Sequence, residues 1–313
     1  MRNLISSVSP HFYGARTTKN IMLDVILALT PAAIASVLIF GLRSLLVIFT
    51  CVAVCVVSEW AFEKLCNKEQ TISDLSAVVT GMLLAFNLPV TIPLWQASLG
   101  SVIAIVVVKL LFGGIGQNFA NPAITARIIM MTAFSGTMTN WVAPTAFNIL
   151  PDATTSATPL AMMAKGEVDQ LPTYLDMFLG NRGGCLGETC VLALLLGGAY
   201  LLARRVISWH TPAAFLGTVL LMSLICGKDP LYQLMSGGLM LGAFFMATDY
   251  STTPNTPLGK IIFGVGCGLI TVLIRFWGNF PEGVSFSILL MNILTPYISK
   301  LTRSKPLIGG AGK

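Results

Sequence analysis

Apolar stretches close to membrane length, each nearly free of charge, follow one another along most of this chain. Ten can be delimited, at about 21–40, 44–62, 74–88, 94–112, 121–134, 189–203, 211–226, 233–248, 258–277 and 284–301. A helix satisfies its backbone polar groups internally, and roughly 20 apolar residues cross the hydrocarbon core. Composition excludes water as the main solvent: 55% of residues are hydrophobic and 10% charged, with mean hydropathy +0.80, whereas a soluble domain carries about 25% charged residues. The expectation is an all-α integral membrane protein of about ten transmembrane helices. The stretches at 74–88, 121–134 and 233–248 are short and abut Pro, Gly or Asn clusters, so they read as half-helices followed by irregular backbone.

Basic residues set the expected orientation, because cytoplasmic loops carry the excess of Lys and Arg. With the N-terminus inside, thirteen of the 19 basic residues fall on the cytoplasmic side, five outside, and Arg127 within a span. Both termini are therefore expected inside. Residues 1–20 read as a cytoplasmic segment without the apolar core of a signal peptide, and residues 302–313 as a cytoplasmic tail. The net charge of +6 follows from the same bias, so the partner it implies is lipid and not nucleic acid. Trp60, Trp95, Trp209 and Trp277 lie near span ends, where indoles anchor at the interface. The one long connection, 135–188, is left on the outer face, and Asp152, Glu167, Asp169, Asp176 and Glu188 make it acidic.

Two segments of the chain repeat. Gly100–Lys109 in the fourth span aligns without gaps with Gly266–Arg275 in the ninth, and Thr80–Phe86 is similar to Gly238–Phe244. Equivalent spans differ by five, an odd number, so they run in opposite directions. This predicts an inverted five-plus-five repeat, with halves at 21–134 and 189–301, a plan used by many transporters.

Chemistry-bearing motifs are few. Cys51 and Cys55 share a helix face and read as small apolar packing, and the spacing of Cys185 and Cys190 is no metal signature. There is no Walker A loop, dinucleotide fingerprint or catalytic triad. Asp24, Asp74, Asn87, Lys109, Asn118, Asn121, Arg127, Asp249 and Arg275 lie in or beside spans, where ionisable and polar groups are costly and therefore paired or functional. Asn121, before Pro122, and Asp249, before Pro254, mark equivalent breaks. They either cap broken helices or touch a ligand or ion route.

The outer connection contains Asp152, Thr155, Ser156, Ala157 and Thr158, followed by Pro159. By composition this is a polar, turn-rich loop. Pro159 disfavours the helical region for Thr158, which is expected to present its hydroxyl to a modifying enzyme and not to its own helix. The small Ser156 and Ala157 leave room for a bulky group. The stretch resembles the acceptor pattern of flavin transferases, which join FMN through its phosphate to the final threonine. It is similar to the flavinylated segment of the family that holds the D subunits of Rnf complexes and the B subunits of the sodium-pumping NADH:quinone reductases. The resemblance continues through Ser9–His11, Ser73-Asp74, Phe112–Gly114, Asn121–Ala123, Gly187–Thr189, Ala247–Asp249 and Glu282–Val284. Ser156 departs from it, standing where these families usually have glycine.

The resemblance implies covalent FMN at Thr158, a second, noncovalent flavin (riboflavin) or an ion path near Asn121 and Asp249, and a urea-channel-like architecture. It also implies membership of a bacterial inner-membrane complex that couples electron transfer between ferredoxin and NAD to translocation of sodium ions or protons. The partners implied are the other Rnf subunits, especially another flavin-bearing one, and a flavin transferase for maturation. With no nucleotide or cluster motif of its own, the chain would be an enzyme only as part of that complex. The rival is a small-solute channel or transporter, which the inverted repeat suits equally well but which has no use for the acceptor at Thr158.

Overall fold

The computed structural model describes residues 17–144, 157–166, 171–278 and 282–303. In chain order the helices are α1 (Thr18–Phe40), α2 (Leu42–Leu65), α3 (Ser76–Phe86), α4 (Leu94–Val102, running on as a π-helix over Ile103–Leu110) and α5 (Pro122–Ala133). The short α6 (Ser135–Met138), α7 (Pro159–Lys165) and α8 (Tyr174–Leu179) follow. The chain then forms α9 (Val191–Ala203), α10 (His210–Ile225), α11 (Pro230–Met235), α12 (Leu239–Leu241, continuing as a π-helix over Gly242–Met246), α13 (Pro257–Trp277) and α14 (Val284–Thr302). No β-strand occurs among the described residues.

Among the described residues four helices, α1, α2, α13 and α14, are long and apolar enough to cross a membrane, while α3, α4, α5, α9 and α10 are apolar but shorter. Their boundaries follow local chemistry. Thr17 caps α1 by accepting from the Asn20 amide at 3.3 Å. Asn121 caps α5 by accepting from the Ala123 and Ile124 amides, with Pro122 in the first helical position, where its missing N–H costs nothing. The stretch expected at 233–248 is not one helix. It breaks between α11 and α12 at Ser236–Gly238, where Gly237 takes φ +61°, a region that side-chain-bearing residues rarely occupy.

Packing draws both ends of the sequence into one core. α1 packs on α9, α2 on α3 and α4, α10 on α13 and α13 on α14, and α5 lies between α3 and α14. The α1–α9 crossing depends on Gly197: a Cβ there would lie 2.1 Å from the Ala28 carbonyl oxygen. At the far end of α1, Arg43 donates to the Ile92 carbonyl at 3.1 Å, and Thr91 donates to the Asn140 carbonyl at 3.1 Å. Residues 139–141 therefore sit at the C-terminal end of α1.

Candidate functional site

Two cavities lie toward opposite ends of α1. The first, of about 560 Å³, is lined by Arg127, Met131, Met138, Thr139, Asn140, Trp141, Ala157, Thr158, Ala161 and Glu282. Thr158 has extended backbone, φ −71° and ψ 152°, as Pro159 requires. The expectation for its hydroxyl needs correction: Oγ1 does serve its own helix, accepting from the Ala161 amide at 3.2 Å. An extended residue just before a helix-initiating proline has N-cap geometry, which turns a threonine oxygen onto the first turn. That bond uses a lone pair and leaves the hydroxyl hydrogen, the atom that esterification removes. Asp152, Thr155 and Ser156 lie outside the described residues.

Beneath Thr158 is a buried ionic cluster. Arg127, 4% exposed, pairs with Glu282 through both terminal guanidinium nitrogens and also donates to Asn87 Oδ1 at 2.8 Å and Ser285 Oγ at 3.0 Å. Its Nε is buried without a partner. Arg182 donates to the Glu188 and Thr189 carbonyls, and Arg275 to the Gln233 and Ser236 carbonyls. Gly238 lets Glu282 and Glu188 approach together: a Cβ there would meet Glu282 Oε1 at 2.7 Å and Glu188 Oε2 at 3.1 Å. On the cavity wall itself Arg127 and Glu282 balance each other; with Arg182, Arg275 and Glu188 behind them, the cluster as a whole holds three arginines against two glutamates.

These residues fit a flavin. The cavity volume falls in the range of small-molecule sites. Trp141, Met131 and Met138 offer an aromatic and polarisable surface for a flat ring. The unpartnered Arg127 Nε and the positive excess suit a group carrying phosphate.

The second cavity, of about 450 Å³, lies at the N-terminal end of α1 and is lined by Thr18, Ile21, Met22 and Val25 together with residues of α3, α5, α9 and the α12 π-helix. It brings Asn121 and Asp249 together, along with Lys109, Ser76 and Phe245. Both candidate residues also hold their own local structure. Asn121 caps α5, and Asp249 accepts from the Ser251 and Thr252 hydroxyls at 3.2 and 3.1 Å. With its side-chain amide turned so that oxygen and nitrogen each face a partner, Asn292 ties the two breaks together, accepting from the Asn121 amide and donating to the Thr252 carbonyl. Capping and cavity lining, which the sequence sets against each other, thus coexist in Asn121, whereas Asp249 lines the cavity from a turn and caps no helix.

In the wall of this cavity Lys109, 3% exposed, donates to Glu59 Oε1 and Ser76 Oγ at 2.6 Å each. The Thr71 hydroxyl joins Glu59 to Glu63, and both carboxylates are buried. Glu59, Glu63 and Trp141 escaped the sequence reading, and Glu282 entered it only through the family resemblance, with no role at the site. The available signal was the need of Lys109 and Arg127 for counter-charges, and Glu59 inside the second apolar stretch supplies one.

The two cavities are separated by a thin layer. Ala123 lines the second and Arg127, one turn along α5, lines the first. Asn87 lies in this layer, accepting from Arg127 and donating to the Leu83 carbonyl at 2.6 Å and Met246 Sδ at 3.7 Å.

Fold and site together define a helical membrane protein built around two back-to-back cavities. The chain belongs to the NQR2, RnfD, RnfE family, whose model matches residues 5–307, and it is a multi-pass membrane protein. It is 48% identical, over 97% of its length and 95% of the relative's, to the D subunit of the Na(+)-translocating ferredoxin:NAD(+) oxidoreductase complex of Acetobacterium woodii. It is 44% identical to the D subunit of the proton-translocating ferredoxin:NAD(+) oxidoreductase complex of Clostridium ljungdahlii, over 95% of this chain and 94% of the relative. With the D subunit of the ion-translocating oxidoreductase complex of Marinobacter nauticus it shares 40% identity, over 96% of this chain and 94% of the relative.

Proposed function

We propose that this chain is the flavin-carrying membrane subunit of a complex that couples electron transfer between ferredoxin and NAD to translocation of sodium ions or protons. The near full-length likeness to D subunits of such complexes supports the assignment to a complex. The observation that carries the flavin is the placement of Thr158 on a cavity walled by Trp141, Met131, Met138 and Arg127. FMN esterified there supplies one- and two-electron chemistry. The chain's own residues anchor it, wall it from lipid and surround it with fixed charge. Maturation needs a flavin transferase, and other subunits of the complex, one of them flavin-bearing, supply and remove electrons. A noncovalent flavin, riboflavin, is the proposed occupant of the cavity that Asn121 and Asp249 line, the same residues that would border an ion path.

The membrane is the bacterial cytoplasmic one, with both termini inside and Thr158 outside; the charge bias supports this. Ten spans in an inverted five-plus-five repeat are supported by Lys109 and Arg275, aligned in the repeat. Each is buried at the end of its helix and tied to residues at or just before a half-helix, Ser76 and Ser236.

The test is production of the chain with a flavin transferase, followed by in-gel fluorescence. Wild type is expected to fluoresce and Thr158→Val to be dark. Equal fluorescence in the two would remove Thr158 as the acceptor. Redox-driven sodium uptake by the whole complex is expected to fall to background in Thr158→Val, and uptake unchanged by that substitution would make the flavin dispensable.

A further inference from the structure

The wall around Thr158 is charged in a way that anchoring does not require. Arg127 and Glu282 both line the cavity that Thr158 opens on, and they are bonded to each other by two contacts. Arg127 is fixed from behind by Asn87 and Ser285, and Glu282 accepts from the Gly238 amide at 2.8 Å. Neither side chain can swing away without leaving buried partners unsatisfied, so both charges are held in place relative to the cavity. Arg182 and Arg275 add two further positive charges at the same end of the bundle, and Glu188 one negative.

We propose that Arg127 and Glu282 set, in opposite senses, the redox balance of the group carried by Thr158. The inference rests on the reading that Thr158 carries a flavin. Each electron delivered to that group adds one negative charge unless a proton follows it. A fixed positive charge on the wall favours the electron-rich state, and a fixed negative charge opposes it. At an effective dielectric of about 20, a unit charge about 10 Å away changes the reduced-to-oxidised ratio by roughly tenfold or more. The positive excess of the surrounding cluster then raises the group's potential relative to the same site without those charges. That makes this position an acceptor for strongly reducing donors and limits back-transfer toward them.

The experiment is a potentiometric titration of the full-length chain, matured with a flavin transferase and purified in detergent. Dithionite serves as reductant and ferricyanide as oxidant, and the Thr158→Val signal is subtracted. Glu282→Gln is expected to raise the reduced-to-oxidised ratio at the wild-type midpoint about tenfold, or ~59 mV for a one-electron couple. Arg127→Gln is expected to lower it by a similar factor. Arg127→Lys, which keeps the charge, and the double variant Arg127→Gln/Glu282→Gln are both expected to stay within about threefold of wild type.

A Glu282→Gln protein that carries covalent flavin yet titrates within threefold of wild type, or shifts the opposite way, overturns the proposal. If Arg127→Gln does not accumulate, Glu282→Gln and Arg127→Lys decide the matter. Loss of fluorescence in every variant, wild type included, is a different result, because it removes the flavin from Thr158 and the underlying reading with it. A merely structural role for the pair would change yield or melting temperature without moving the midpoint in opposite directions.

Discussion

Lys109 and Glu59 form a buried ion pair whose halves are each costly alone. Nζ and Oε1 are 2.6 Å apart, and Glu59 is fully buried with its Oε2 lacking a partner. At an effective dielectric of about 20, two unit charges at this separation attract by roughly 6 kcal/mol, while withdrawing both from water costs several kcal/mol per ion. The net contribution of the intact pair is therefore small. Removing one partner discards the attraction and keeps the other's desolvation, so Glu59→Gln and Lys109→Met should each destabilise by about 3–5 kcal/mol. Lys109→Met should cost more, because Glu63 shares the Thr71 hydroxyl with Glu59 and two buried carboxylates then face no cation. The double variant Glu59→Gln/Lys109→Met should return to within about 1 kcal/mol of wild type, a coupling of at least ~5 kcal/mol against the sum of the single effects. Unfolding of the purified chain by SDS in mixed micelles, followed by Trp fluorescence, measures all four corners of the cycle. Additive single effects, or a cost under about 1 kcal/mol for either one, would refute the reasoning.

Other perturbations probe separate parts of the molecule. Gly197→Ala forces α9 away from the Ala28 carbonyl and should cost about 1–3 kcal/mol in the same unfolding assay; an unchanged midpoint would contradict the close crossing. Asn87→Leu removes the acceptor for Arg127 and should cost about 1–3 kcal/mol, with Asn87→Asp retaining more stability than Asn87→Leu. On α8, the Tyr174 hydroxyl donates to Asp229, and that bond, with the carboxylate charge, pushes its pKa up to about 12. A folded-state pKa raised in this way gives a stabilisation present below the ordinary tyrosine pKa of about 10 and lost as pH rises through the raised value. Ultraviolet titration, read as the difference between wild type and Tyr174→Phe, should place this phenol near 12 and bring it back toward about 10 in Asp229→Asn.

Hydropathy made the long helices legible almost to the residue. The stretches read at 258–277 and 284–301 are Pro257–Trp277 and Val284–Thr302, because in lipid the backbone must close on itself wherever the side chains are apolar. The broken eighth stretch was legible only in part. Its glycines announce a break, but which of them takes positive φ depends on Leu160, Arg275 and Glu282 crowding Gly237, a tertiary matter. The same holds for the site. Thr158 could be read from local pattern and resemblance, and Arg127 from its cost in lipid, whereas Glu282 is brought to Arg127 across 155 residues. Trp141, in the long 135–188 connection, has no periodic signal at all. Asn121 and Asp249 were legible as breaks, and their meeting in one cavity followed only from α14, which packs on both α5 and the α12 π-helix.

The thin layer on α5 bears on how a membrane voltage would act on this chain. Ala123 and Arg127, on the walls of opposite cavities, are four residues apart, about 6 Å along a helix axis. Water in both cavities would conduct the potential of each side to this layer, so that most of the voltage falls across about a fifth of the ~30 Å hydrocarbon thickness. A charge crossing only the reach of one side chain then works against nearly the full potential, about 2.3 kcal/mol for each 100 mV. The field at Arg127 and Asn87 would be several times that in the surrounding lipid.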